Sequence, residues 1–225
     1  MINPLNHVAF IMDGNGRWGT KHKKSRNAGH KEGIKTIETI INASIKNNIK
    51  FITLFMFSVD NWKRPKKEVN YLFNLLQIFI KKNLDKFNKR NIKLKILGEK
   101  NLPKKILKIL TTVERLTIKN NLLQINLAIN YSSKAEIIRS IKKIIKKKIS
   151  INQINLSNNL YTKNIPDPEI LIRTGNTKRL SDFLLWQSSY SEIFFVNKLW
   201  PDFTDGDYLK IIKEFKKIKR NFGSI

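Results

Sequence analysis

The feature that most constrains this chain is a rhythm of apolar runs. Six short segments rich in β-branched and aromatic residues, at 8–12, 51–57, 92–97, 123–129, 170–172 and 193–196, read as strands, and most of them are almost continuously apolar rather than alternating. Strands read that way when both of their faces are covered. Stretches with helical patterning lie among them, at about 28–48, 67–90, 103–119, 133–148 and 205–220. Strand–helix alternation predicts an α/β fold with a parallel sheet. The 225 residues suit one domain, 1–225, and are ample for a buried core. No internal repeat or long linker interrupts the pattern, and 152–164 reads as an irregular or short-helical insert.

The net charge of +27 invites a nucleic-acid reading. The composition offers a blander cause. There are 35 Lys but 9 Arg, with 34 Ile and 26 Asn, and Lys, Ile and Asn together make 95 of the 225 residues. That skew looks like drift toward A/T-rich codons, whereas a selected nucleic-acid surface favours the bidentate Arg. The charge stays available for anionic substrates or a membrane surface. The absence of cysteine excludes disulfides, thiolate catalysis and cysteine-ligated zinc, and fits a reducing compartment. No run reaches the roughly 18 to 20 apolar residues of a membrane span. The apolar stretch 7–12 is broken by Asp13 and lacks a basic leader and a cleavage site. The expected location is cytoplasmic.

The segment 69–84 leaves little polar face: Tyr71, Leu72, Phe73, Leu75, Leu76, Ile78, Phe79 and Ile80 are all apolar. A helix of that kind must be covered on both sides. It is either an ordinary buried helix, a contact with a second copy, or the wall of an apolar cavity. Ile34, Ile37, Ile41 and Ile45 share one face of the preceding helix and could oppose it.

The first strand runs into Asp13-Gly14-Asn15-Gly16-Arg17-Trp18-Gly19, which satisfies G-x-G-x-x-G in form. A dinucleotide site is nevertheless rejected. Asp13 would repel a bound pyrophosphate unless a metal lay between them, Arg17-Trp18 is too bulky for close helix packing, and the second strand ends at Phe57-Ser58 with no acid. A phosphate site remains: Gly14 and Gly16 let backbone N–H groups turn toward an anion. Asp13 could hold Mg²⁺ against that anion. Arg17, Arg26, His30 and Arg64 supply positive charge and donors. Arg173-Thr174-Gly175 and Arg179-Leu180-Ser181 form a second basic cluster after a strand, a candidate second anion site. Taken by itself, Glu192 reads as a strand-flanking surface acid.

The stretch His7-Val8-Ala9-Phe10-Ile11-Met12-Asp13-Gly14-Asn15-Gly16-Arg17-Trp18 resembles the opening signature of the cis-prenyltransferases, the undecaprenyl diphosphate synthase family. Gly29-His30-Lys31-Glu32-Gly33 resembles its second block, and Phe57-Ser58-Val59-Asp60-Asn61-Trp62-Lys63-Arg64-Pro65 its third. Ile172-Arg173-Thr174-Gly175, with the run from Arg179 to Gln187, is similar to the fourth. Tyr190-Ser191-Glu192 and Trp200-Pro201-Asp202-Phe203 are similar to the last. The blocks keep their order and cover nearly the whole chain.

The resemblance implies a central, mostly parallel six-stranded sheet surrounded by helices, with an apolar tunnel walled by the 69–84 helix. It implies sequential cis-condensation of isopentenyl diphosphate onto an allylic primer, expected to be farnesyl diphosphate. The expected product is undecaprenyl diphosphate, the lipid carrier precursor for cell-wall polysaccharide. By position, Asp13 and Glu192 would bind Mg²⁺, with Asp13 and Asn61 catalytic and Asn61 in the proton-acceptor region. Gly14, Asn15, Gly16, Arg17, Trp18, Arg26 and His30 would hold the allylic diphosphate. Ser58, Val59, Asp60, Trp62 and Arg64 would border the junction of the two substrates. Arg173, Arg179, Leu180 and Ser181 would hold isopentenyl diphosphate, helped by the C-terminal tail of a second copy in a homodimer, with Arg220 and Gly223 as candidates. Peripheral contact with the inner face of the membrane would serve product release, and no nucleic acid is expected.

Some positions depart from the usual pattern: Val59-Asp60, Gly175-Asn176-Thr177, Ser132-Ser133-Lys134, Asp182 and Glu169. Two other readings compete. One is a basic nucleic-acid-binding protein, for which no stacking motif or recognition helix is visible. The other is a weakly active partner subunit, against which the retention of Asp13, Arg173, Arg179 and Glu192 speaks.

Overall fold

The computed structural model describes residues 3–221. Six strands form one sheet: β1 His7–Ile11, β2 Phe51–Ser58, β3 Ile92–Leu97, β4 Leu123–Tyr131, β5 Ile170–Arg173 and β6 Glu192–Phe195. Their order is β3-β4-β2-β1-β5-β6, and every pairing is parallel. The expected "mostly parallel" sheet is therefore wholly parallel. The helices are α1 Asn15–Lys23, α2 Arg26–Lys46, α3 Lys66–Lys89, α4 Lys104–Thr117, α5 Ser133–Lys146, α6 Gln153–Ser157 and α7 Asp205–Phe215, with short 3-10 turns at Val59–Lys63 and Trp200–Asp202.

The period of two along each strand sorts the core into two layers. Val8, Phe10, Ile52 and Leu54 face a large cluster with α2, α3, α4 and α7, which supply Ile37, Ile40, Phe73, Ile106 and Tyr208. Ala9, Ile11, Ala128 and Leu171 face a smaller cluster closed by Ile165, Phe183 and Leu184. Strands β1 and β5 are buried along their length, as continuous apolar runs require, whereas β6, at the edge, alternates half-buried and exposed.

Two differences from the sequence reading bear on the site. Residues 15–23, which lie before the first helix expected from the sequence, form α1. Its own sequence carries little apolar periodicity, and it is held instead by close packing on α2. Helix α3 is not covered all round. Val69, Phe73, Leu76, Phe79 and Ile80 are buried, Ile78 is 53% exposed, and Leu72 and Leu75 are half-buried.

The order of the strands fixes where a ligand can sit. From β1 the chain pairs with β2 on one side and β5 on the other, so the crevice opens outside the carboxyl end of β1. Register shifts between β2 and β4 at Phe55–Phe57 and Phe57–Ser58 bend the end of β2 there.

Candidate active site

A cavity of about 560 Å³ begins at this crevice and runs between α2 and α3. Its mouth is polar, lined by Asp13, Asn15, His30, Ser58, Asp60, Asn61, Arg64, Arg173, Arg179 and Ser181. Its depth is apolar, lined by Ile34, Ile37, Leu72, Phe73, Leu75, Leu76 and Phe79. The cavity reading of the 69–84 helix therefore stands. Ile41 does not reach this space; it lines a separate pocket of about 140 Å³, and Phe79 borders both.

Asp13 leaves β1 two residues past Ile11. Its carbonyl accepts from Thr174 Oγ1 at 2.8 Å and Trp200 N at 3.0 Å, which pins the backbone. Its carboxylate lies between two guanidiniums: Arg173 Nη2 at 2.9 Å and Arg17 Nη2 at 3.3 Å. Gly14 then takes φ +106°, and a Cβ there would meet Leu199 at 2.8 Å, so this turn requires glycine. It starts α1 with neither a side-chain cap nor an acid in the first turn. The helix amino terminus at the mouth is thus open to an anion. A Cβ on Gly16 would meet the Arg26 guanidinium at 2.7 Å, so glycine there lets Arg26 lie against α1.

Arg26, Arg64 and His30 converge on Glu68, an acid the sequence reading did not single out. Arg26 Nε lies 3.2 Å and Arg64 Nη1 3.1 Å from its carboxylate. The signal was present in the Arg64–Glu68 spacing of four at the start of α3. Burial raises the Glu68 pKa, but Arg26, Arg64 and His30 outweigh it and bring the group below its ordinary value. His30 Nε2 is buried and 3.6 Å from Glu68, too far for a hydrogen bond. Burial first and the charge of Arg64 next push His30 down to about 4, so it is neutral at pH 7.

Arg173 ends β5 and is 4% exposed. Its Nη1 donates to Ser181 Oγ at 2.7 Å and to the Arg179 carbonyl. Its Nε is buried and has no partner among the described residues. Arg179 itself is exposed. Ser58 and Asn61 cap one another around the 3-10 turn, with Ser58 N donating to Asn61 Oδ1 at 3.0 Å. Asp60 pairs with Lys63 at 2.6 Å.

Nine of the expected site residues do not line the cavity. Gly14, Gly16, Arg17 and Arg26 flank its mouth through the contacts just described. The Trp18 indole donates to Asp202 Oδ1 at 2.7 Å and stacks on His22. Trp62 donates to Asn130 Oδ1 at 2.8 Å and packs on Phe57 and Phe73, so it braces the wall. Val59 is 41% exposed, and Leu180 packs against the smaller core cluster. Glu192 is the clearest separation. It opens β6 opposite Ile170, at the amino edge of the sheet, and pairs with Arg220 at 3.4 Å. Asp13 lies beyond the carboxyl edge, so one chain does not bring these two carboxylates together. Among the described residues no group of three or more His, Cys, Asp or Glu could hold a metal ion. Gly223 lies outside the described residues.

Residues 11–223 match the prenyltransferase family model for undecaprenyl diphosphate synthase. An isoprenyl transferase of Wolinella succinogenes is 46% identical over 100% of this chain and 99% of its own. A ditrans,polycis-undecaprenyl-diphosphate synthase of Buchnera aphidicola, named as specific for (2E,6E)-farnesyl diphosphate, is 45% identical over 98% of this chain and 92% of its own. Two crystal structures superpose closely. One, of a probable undecaprenyl diphosphate synthase from Campylobacter jejuni, has a TM-score of 0.86 and 39% identity over 99% of this chain and 100% of its own. The other is lavandulyl diphosphate synthase from Lavandula x intermedia with dimethylallyl diphosphate. It has a TM-score of 0.92 and 29% identity over 97% of this chain and 98% of its own. With its six parallel strands, its charged mouth and these relatives, the chain belongs to the undecaprenyl diphosphate synthase family of cis-prenyltransferases.

Proposed function

We propose that this enzyme elongates farnesyl diphosphate with isopentenyl diphosphate, in cis, to undecaprenyl diphosphate, the carrier precursor for cell-wall polysaccharide. The observation that carries the reading is that one cavity is cationic at its mouth and apolar in its depth. Two diphosphates need charge-assisted donors, and Arg26, Arg64, Arg173 and Arg179 supply them. A growing polyprenyl chain needs a dry channel, and α2 and α3 supply its walls. The α1 amino terminus with Arg26 and Arg64 suits the primer diphosphate. Arg173, Arg179 and Ser181 suit the diphosphate of the second substrate, whose double bond attacks the primer carbon as the carbon–oxygen bond breaks. Asn61 lines the same mouth, and its amide suits the region where the proton is lost.

The residues fit Mg²⁺ in one way. Mg²⁺ is commonly held by one or two carboxylates plus substrate phosphates, and Asp13 is a carboxylate at the mouth between two cationic donors. When bound, the ion would neutralise charge developing on the leaving diphosphate. A homodimer is supported by the exposed edge strand β6, with Ile193 and Phe195 each 38% exposed. Peripheral membrane contact accords with the charge of +27 and with the apolar product; among the described residues no helix is long and apolar enough to cross a membrane.

The test is an extraction assay with labelled isopentenyl diphosphate, farnesyl diphosphate and Mg²⁺, with products separated by chain length. The proposal requires a ladder ending near eleven isoprene units. No incorporation, or no dependence on an allylic primer, would overturn it.

A further inference from the structure

The segment that carries Arg179 and Ser181 has an unusual backbone. Ser181 has φ +52°, Asp182 +61° and Leu184 +47°, and none is glycine. Left-handed conformations at such residues persist only where the surroundings enforce them, and they gather at functional sites. Here the enforcing element is the amino terminus of α5. The Asp182 carboxylate accepts from Lys134 N at 2.9 Å and from the Ser132 hydroxyl. The Asp182 carbonyl accepts from Ser133 N at 2.9 Å, and Leu185 N donates to Ser133 Oγ at 3.0 Å. Ser132 also caps α5 by accepting from Ala135 N at 3.1 Å. Four bonds therefore fasten residues 182–185 to one helix end.

The other side of the same turn meets the cavity. Ser181 Oγ and the Arg179 carbonyl both accept from Arg173 Nη1, and Arg173 Nη2 reaches Asp13. Arg173, Arg179 and Ser181 all line the mouth, whereas Asp182 does not. Asp182 is thus one residue from the cluster, outside it, and holds it to a rigid element. We propose that Asp182 is a positioning residue for the second diphosphate site. It fixes the Arg179–Ser181 turn on α5, so that the two arginines and the serine hydroxyl reach one anion together. The proposal rests on the assignment of that cluster to isopentenyl diphosphate.

The experiment measures KM for isopentenyl diphosphate, KM for farnesyl diphosphate, kcat and melting temperature in Asp182→Ala, Asp182→Gly and Asp182→Asn. Asp182→Gly keeps a backbone free to be left-handed but loses the carboxylate. Asp182→Asn keeps a local acceptor and tolerates positive φ. Both Ala and Gly variants are expected to raise KM for isopentenyl diphosphate about tenfold, the scale of one lost hydrogen bond to a charged group. KM for farnesyl diphosphate should stay within about twofold, and Asp182→Asn should restore most of the loss. A purely structural role would lower the melting temperature without separating the two KM values, and that result overturns the proposal. So does a normal KM in Asp182→Gly. Arg179→Ala is the control for the underlying assignment. If it leaves KM for isopentenyl diphosphate unchanged, the site assignment fails; if it raises KM while the Asp182 variants do not, only the positioning role fails.

Discussion

The Asp13 carboxylate and the Arg173 guanidinium stand 2.9 Å apart across two hydrogen-bonded neighbour strands, β1 and β5. The pair puts the candidate metal ligand and the most buried cation of the mouth in direct contact. A ligand there meets a carboxylate already oriented and a guanidinium whose buried Nε has no partner among the described residues.

Asp13→Ala is expected to lower turnover by about 10² or more, as for other lost electrostatic stabilisers. The fold should survive, because Arg173 keeps its bonds to Ser181 and the Arg179 carbonyl. Turnover at saturating Mg²⁺ and a melting curve on the same preparation check this. Near-normal turnover in the folded variant would contradict the role.

The two anion clusters should separate kinetically. Arg179→Ala, at an exposed side chain, should raise KM for isopentenyl diphosphate more than KM for the primer. Arg26→Ala should do the reverse. Each lost charge-assisted bond is worth roughly 1.5 to 3 kcal/mol. Arg173→Ala is the less clean test, since it also leaves Asp13 without its closer partner. Equal effects of Arg179→Ala and Arg26→Ala on both substrates would refute the division.

Much of this was legible in the sequence, for physical reasons. The strands announced themselves because a covered parallel sheet needs apolar residues on both faces, and β1 and β5 have them. Helix α1 did not, because its stability comes from α2 rather than from its own pattern. Glu68 was overlooked because an acid is not sought in a phosphate site; here it orients Arg26 and Arg64. The position of Glu192 depends on the register of an edge strand, which no local pattern fixes. Ser132 and Asp182, noted separately as departures, turn out to bond to each other.

Acid should destabilise the protein through its buried histidines. His7 lies between the Pro166 carbonyl and Thr53 Oγ1, at 2.6 and 2.7 Å. Burial pushes it down to about 4, against a smaller upward pull from Pro166. His30 is likewise near 4. Both folded values lie below the unfolded value near 6.5. Their neutral forms therefore give full stability above about pH 6.5, and it is lost as pH falls toward 4, while the unfolded chain binds more protons. Each contributes on the order of 3 kcal/mol. Urea midpoints at pH 7, 5.5 and 4.5 should fall in that order, and His30→Gln should flatten the decline. A flat profile would mean that these histidines are not held neutral.

Product length tests what the cavity is for. Ile37, Leu72, Leu75, Leu76 and Phe79 line it, and Phe79 also borders the smaller pocket that contains Ile41, Asn83 and Phe87. Phe79 is therefore the partition between the two spaces. Phe79→Ala should join them and let the chain grow by whole five-carbon units. Leu76→Trp or Leu72→Trp, nearer the mouth, should stop it early. In a closed core the same truncation would act only on stability, by about 3 to 5 kcal/mol for Phe→Ala. Ile41→Ala is the internal control: it removes core volume beyond the partition, so it should lower the melting temperature while leaving the product ladder in place. Melting temperature and product distribution are to be read on the same samples. The partition is refuted if Phe79→Ala melts lower with an unchanged ladder, or if Ile41→Ala lengthens the product with Phe79 intact.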